Sequence, residues 1–436
     1  MNSSTSGNGA LAKLDEDHTA LSAKSLARKI FKAELPEEHL RALPAQSLLL
    51  ILKSNGLDSS QALLECASSE QYQLLLDFEL WTGDRFKEEQ FWSWVAVCEQ
   101  DSSLKALQKM LACMDLKLVG LMLSRYVQFE IFEEPTDEPP GPLYYTPDKG
   151  LTWIQISIEN ADQHRQLAKL LALIFEADAD LFYRLLATTT MTTPAELEEE
   201  SYSDRNKRLV VVGIPEPDFA HELHSRLKPS AALSQLKGAH TETCVPSDIP
   251  VIQPLVYDGD MPEPLRSFAH ELASSASQED FETELTLLMN AAFVYWRIDF
   301  EDYEQIEIVA ARVRGILNVG LQQIYETQSD ASRHIYTTLG LRGIYRVGLD
   351  VLYGLHDLGK KVASQIIADL DPSGPEFSII AGVRDEFPVL PDFFQSCGSY
   401  TLDAEGKLKG GFKAYTCLAE IHAVRDFVDS LIRKRL

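Results

Sequence analysis

The chain has 436 residues, 45% hydrophobic and 24% charged, the proportions of a globular protein long enough for two or three domains. Its 66 Asp and Glu against 40 Lys and Arg give a formal net charge of -26, which argues against binding a nucleic-acid backbone and disfavours anionic membrane surfaces, both of which call for clustered cations. The densest apolar run, Leu48 to Leu52, is far short of the roughly 18 residues that span a bilayer, so no transmembrane helix is predicted.

Met1 to Ala10 is rich in Ser, Gly and Asn and lacks the charged and apolar regions of a signal peptide, so residues 1–20 read as a disordered tail. From Leu35 to Trp94 the pattern predicts short helices with clear punctuation. Pro36 and Pro44 suit first-turn positions, Asn55-Gly56 ends a helix, and Asp58 with Gln61 and Ser68 with Gln71 have capping-box spacing. Helices of this length need neighbours to stack against. Phe78, Trp81, Phe86, Phe91, Trp92 and Trp94 read as core rather than as a peptide groove. A longer helix is expected from Ser102 to Tyr126, with Leu104, Leu107, Leu111, Met114, Leu118 and Leu121 on one stripe.

The period then changes. Tyr126 to Phe132 and Leu151 to Ile158 alternate and predict strands, separated by the loop PTDEPPGP. Tyr144-Tyr145, a turn over residues 146–150 and LTWIQISI read as a β-hairpin. Asn160 with Gln163, and Thr193 with Glu196 around Pro194, predict two helix starts; Leu209 to Val212 is placed in a helix ending at Gly213, because Lys207 and Arg208 suit its C-terminus and Pro215 follows. Eight prolines from Pro215 to Pro264 mark an irregular connection. The last part is again helical. Leu285, Leu288, Ala292, Tyr295 and Ile298 form one stripe, and Ile306, Val309, Val313 and Ile316 the next. Pro372 to Lys413 is rich in Pro and Gly, and a closing helix carries Ile421, Val424, Phe427, Val428 and Leu431.

The sharpest chemical hint is His356-Asp357 followed by Gly359-Lys360, the HD-x-G-K pattern of metal-dependent phosphohydrolases. Such an enzyme needs several His and carboxylate ligands converging on a metal that lowers the pKa of a bound water. His334 is the candidate third ligand, and Asp369, Asp371 or Asp385 a fourth. The same stretch also reads as an amphipathic helix: Ile344, Val347, Val351, Leu355, Leu358 and Val362 share a face, while Arg346 with Asp350 and Asp357 with Lys361 are i,i+4 pairs on the other. Elsewhere, His221-Glu222-Leu223-His224 has its second His at i+3 and Ser225 at i+4, so it is no zincin motif, although the two histidines remain a candidate metal pair. DLDPSG at Asp369 to Gly374 imitates an EF-hand start, but Ile380 occupies the position of the bidentate Glu. Six scattered cysteines without a CxxC predict buried reduced thiols, and no cofactor is indicated.

LPAQSLLLILKSNGLDSSQALLECASSEQYQLLLDFELW, YYTPDKGLTWIQI, RNKRLVVVGIPEPDF, ELTLLMNAAFVYW with RVRGILNVGLQQI, and YRVGLDVLYGL, in that order, resemble a family of bacterial proteins, common in deltaproteobacteria, known as a domain of unknown function. The likeness runs from Pro36 to Leu431 and implies a cytoplasmic, mainly helical protein; it supplies no catalytic residues. The N-terminal pattern also resembles the helical repeats of the magnesium-transporter cytoplasmic domain.

The expected fold is mainly α: stacked short helices, a small β-hairpin in the middle, and a C-terminal helical bundle. The expected division is a tail over 1–20, a helical-repeat domain over 21–128, a mixed middle over 129–214, a Pro-rich connection over 215–264 and a helical domain over 265–436. The leading functional expectation is a non-enzymatic cytoplasmic protein-interaction module with a protein partner. The rival is a metal-dependent phosphohydrolase using His334, His356 and Asp357.

Overall fold

The computed structural model describes residues 40–41, 43, 45–99, 104–237, 261–273, 278–300, 302–327, 331–372, 374–395 and 410–435. The tail expected over 1–20, Cys244, Cys397 and the middle of the Pro-rich connection lie outside the described residues. The protein is mainly helical, with small two-stranded antiparallel sheets, and its contacts divide it into two units: Met1–Val211 with Asp299–Glu301, and Val212–Ile298 with Asp302–Leu436.

Unit 1 starts with α1 (Ala45–Asn55), a 3-10 turn (Leu57–Ser60), α2 (Gln61–Cys66) and α3 (Ser69–Glu79). Gly56, at φ 83°, follows α1 as the Asn55-Gly56 signal implied. Ser68 and Gln71 form the expected capping box, each side chain bonding the other's backbone N–H. Asp58 is not a cap: it falls inside the 3-10 turn, and α2 begins after Ser60. The open carbonyls at the end of α2 meet a cation instead, since Lys109 Nζ donates to Leu64 O, Glu65 O and Ala67 O at 2.9, 2.7 and 2.7 Å.

A tight antiparallel pair, β1 (Trp81–Thr82) and β2 (Arg85–Phe86), leads to α4 (Glu88–Glu99). Trp81, Phe91 and Trp94 are almost fully buried, so the aromatic cluster is core. The single helix expected from Ser102 to Tyr126 is two, α5 (Lys105–Cys113) and α6 (Leu116–Tyr126). The apolar stripe runs through both, but Asp115 accepts the Lys117 N–H as an N-cap and restarts the helix. After the strands β3 (Val127–Ile131) and β4 (Thr152–Ile156) come α7 (Ala161–Ala177), α8 (Ala179–Met191) and α9 (Pro194–Val211). Asn160 caps α7 and the Thr193–Glu196 box opens α9. Residues 209–211 are helical and Gly213 has φ 84°, as the Lys207, Arg208 and Pro215 signals required. A buried ion pair ties α9 to α3: Arg208 grips both oxygens of Asp77 at 2.7 and 2.8 Å, and Arg205 Nε donates to the Asp77 carbonyl.

In unit 2 the stretch from Pro215 is less irregular than its prolines suggest. Pro217 stands at the first position of α10 (Pro217–Leu223), and Pro229 opens α11 (Pro229–Lys237); at N1 a proline costs no hydrogen bond. Then follow α12 (Leu265–Ala273), α13 (Gln278–Tyr295), α14 (Tyr303–Thr327), α15 (Ser332–Ile366) and α16 (Pro375–Arg384), a pairing of β5 (Leu390–Pro391) with β6 (Phe412–Lys413), and α17 (Leu418–Arg435). The Pro/Gly-rich stretch after Pro372 thus contains a helix, again opened by a proline.

α14 and α15 pack in backbone contact. A Cβ on Gly320 would lie 2.1 Å from Ile344 O, and one on Gly348 2.0 Å from Ile316 O, so the two backbones touch where no side chain intervenes. α15 is also broken: Gly340 has φ 60° and ψ 178°, a conformation open only to glycine. The break leaves the first amides of the following segment without intrahelical acceptors. Glu284, on α13, supplies one: its Oε1 accepts Arg342 N–H at 3.0 Å and also faces the Leu341 amide. Glu284 is 6% exposed, and burial raises its pKa above the usual carboxylate value.

Candidate functional site

The histidines and acids singled out above sit in unit 2, and among the described residues they do not converge on one point. His334 lies before the break in α15 and its Nε2 bonds Leu236 O at 3.1 Å. His356 and Asp357 lie beyond it, and residues 341 to 356 alone rise about 22 Å at 1.5 Å per residue. His356 is 6% exposed, with Nδ1 buried and unpaired. Asp357 points the other way: its side chain is 59% exposed and pairs with Arg226 at 2.9 Å, which holds its carboxyl below the usual range. That partner lies 131 positions away, so the expected i,i+4 role with Lys361 is not the one Asp357 takes. Arg346 likewise donates Nε to Ser225 O rather than serving Asp350. Asp369, Asp371 and Asp385 are exposed. Among the described residues no three His, Cys, Asp or Glu side chains gather as a metal site would require.

His221 and His224 are separated by burial. His221 is exposed; His224 is 4% exposed, stacked on Tyr295 at 4.1 Å and edge-on to Trp296 and Tyr345. Its Nδ1 is 2.8 Å from Ala220 O and must carry the proton, because a carbonyl only accepts. Nε2 is then the acceptor for Tyr345 Oη at 2.9 Å. Both nitrogens are committed, and burial lowers the His224 pKa to about 4. This is a neutral imidazole built into a core.

A different place has open valences. β3 pairs with β4 in antiparallel register, Val127 opposite Ile156, Phe129 opposite Ile154 and Ile131 opposite Thr152. Ser157 N donates to Tyr126 O and Phe132 N to Leu151 O. In an antiparallel ladder only alternate positions face the partner, so Gln128 and Glu130 bond β4 while Phe129 and Ile131 turn their N–H and C=O groups away from it. On the far side of β4, Ile154 exchanges both backbone bonds with Tyr145, at 2.9 and 2.8 Å. The expected hairpin is present but reduced: Tyr145 pairs with Ile154 in a single antiparallel bridge, and the longer pairing of β4 is with β3 across a long loop.

The side chains grade across this edge. On one face Thr152, Ile154 and Ile156 are buried, Val127 and Phe129 are half-buried, and Ile131 is 57% exposed. Glu130 lies on the other face, and Glu133, Glu134, Asp137 and Glu138 follow; all five are exposed, and none is ion-paired with another described residue. An apolar sheet face thus ends at a strand whose outer backbone is unbonded among the described residues and whose rim is anionic. The alternation VQFEI was legible as a strand; that its outer edge is open was not, because that depends on which segment β4 pairs with.

Among the described residues no helix is long and apolar enough to cross a membrane. No curated protein and no solved structure matches the chain. The likeness to magnesium-transporter repeats is not shown. One family model matches residues 4–432, nearly the whole chain: the chain belongs to the DUF6178 family, a family of unknown function.

Proposed function

We propose that this protein is a cytoplasmic, non-enzymatic interaction module, and that the outer edge of β3 is where a protein partner docks. The observation that supports this reading is the pair of odd-numbered strand residues, Phe129 and Ile131, whose backbone donors and acceptors have no partner among the described residues, beside an exposed apolar side chain. Exposed edges are usually blunted or covered in monomeric proteins, because they template strand pairing. A strand added here would satisfy those groups and extend the buried face of β4.

In-cell photo-crosslinking tests the reading. With a photoreactive residue replacing Ile131, a discrete protein adduct is expected that is missing when the probe replaces Met191, an apolar position still more exposed, at 84%. The adduct should also be lost from a Phe129→Pro chain, since proline removes an edge donor. Equal adducts at both positions, or none at 131, would sink the proposal. The rival class, a metal-dependent phosphohydrolase acting through His334, His356 and Asp357, has its own check. Manganese-stimulated phosphoester cleavage abolished by His356→Ala would move the assignment there.

A further inference from the structure

Resting on that reading, the geometry points to the class of partner: we infer that the β3 edge takes an extended segment that alternates apolar residues with Lys or Arg. The inference has three parts. The first is the backbone. Phe129 offers an N–H and a C=O, and Ile131 the same, at the spacing of an antiparallel or parallel ladder, while the Val127 N–H is already bonded to Leu123 O. An incoming strand therefore has its hydrogen bonds at 129 and 131.

The second is the side-chain pattern. Residues directly opposite one another in a sheet share a face. Positions of the partner opposite Phe129 and Ile131 would lie on the face that continues Ile154 and Thr152, so they are apolar. The position opposite Glu130 lies beside an exposed carboxylate that has no ion-pair partner among the described residues, so it is cationic. Cross-strand pairs of opposite charge favour pairing and like pairs oppose it.

The third is what the rim excludes. Two copies of the protein could align their β3 edges about Phe129, placing Gln128 opposite Glu130. That arrangement would bring two tracts containing Glu133, Glu134, Asp137 and Glu138 together, on chains that each carry a net charge of -26. Like charges of that density repel, and Pro135, Pro139 and Pro140 close the strand off just beyond it. The same charges draw in a basic segment and raise its encounter rate.

The test uses the full chain and a short synthetic peptide alternating Val and Lys, labelled for fluorescence anisotropy. Three comparison peptides accompany it: one with alternate amides N-methylated, one with Glu in place of Lys, and one of the same composition in blocks. Saturable binding is expected for the first alone, with the others weaker by roughly tenfold or more, a factor that Ile131→Lys on the protein should match. Residue-resolved hydrogen exchange on the unmodified protein gives a readout free of folding defects. The peptide should protect the Phe129 and Ile131 amides and leave Gln128 and Glu130, already bonded to β4, unchanged. Binding of the Glu peptide or the N-methylated peptide as tight as that of the Lys peptide would overturn the inference, as would protection without the odd-even alternation. If the in-cell adduct at 131 forms while the Val-Lys peptide fails to bind, the partner class is wrong and the docking edge stands; if both fail, both are wrong.

Discussion

At Gly340 and along the outer edge of β3 the chain exposes backbone groups that regular structure would have paired, and the two places treat them oppositely. Inside unit 2, the amides freed by the break in α15 are met by the Glu284 carboxylate, a group that burial disfavours in its charged form. At the rim of unit 1, the Phe129 and Ile131 groups have no backbone partner among the described residues. The difference follows from dielectric surroundings. An unbonded amide in a core costs about 1–3 kcal/mol, whereas one at the surface bonds water at little net cost. A buried break therefore demands an internal partner, and an exposed edge can wait for an external one.

The comparison can be broken most severely at Gly340. Gly340→Ala places a Cβ 2.6 Å from Glu284 Oε1 and forces alanine into a glycine-only region. A loss of about 3 kcal/mol is expected, read as a lower urea midpoint of the helical circular-dichroism signal. An unchanged midpoint would mean that the cap does not hold the break. Glu284→Ala should cost about 2 kcal/mol by the same measurement, because it strands the amides of Leu341 and Arg342.

Glu284→Gln sharpens the point through pH. Burial raises the Glu284 pKa in the folded state, so the fold holds the proton more tightly than the unfolded chain does. Its contribution is full below the usual Glu range and is lost as pH rises through the elevated value. The stability of the wild type relative to Glu284→Gln should fall over that rise; a flat difference from pH 4 to 8 would contradict the assignment.

His224 shows the same accounting for a side chain. Its pKa is lowered to about 4 from 6.5, so its contribution is present above the unfolded value and is lost as pH falls through about 4. Replacement by Phe should flatten the acid limb of a stability-against-pH curve by up to roughly 2 kcal/mol, measured by urea titration at pH 4 and pH 7. The smallest effect belongs to the open edge. Ile131→Lys touches no bond to β4 and should shift the urea midpoint by less than about 0.5 kcal/mol, while removing the adduct and peptide binding proposed above.

What the sequence revealed divides by range. Ser68 with Gln71, Asn160, and Thr193 with Glu196 were readable because cap and capped amide lie within a turn of each other. The helix preference over 209–211 held because a C-terminal cation pair and a glycine stop outweighed β-propensity. The Asp115 restart was hidden by an apolar stripe that continues across it. The break at Gly340 was not legible, because its cap is Glu284, which arrives from another helix. Asp357 found its partner 131 positions away, beyond the reach of any local spacing rule. The candidate edge fell between these cases: alternation gave the strand, and only the pairing order showed which side of it was left over.

The seam between α14 and α15 has a consequence of its own. With Gly320 against Ile344 O and Gly348 against Ile316 O, there is no layer of rotamers between the two rods to deform. One methyl group at either position would act as a wedge between α14 and the part of α15 that follows Gly340. Movement of α14 is therefore coupled to movement of the α15 segment beyond Gly340.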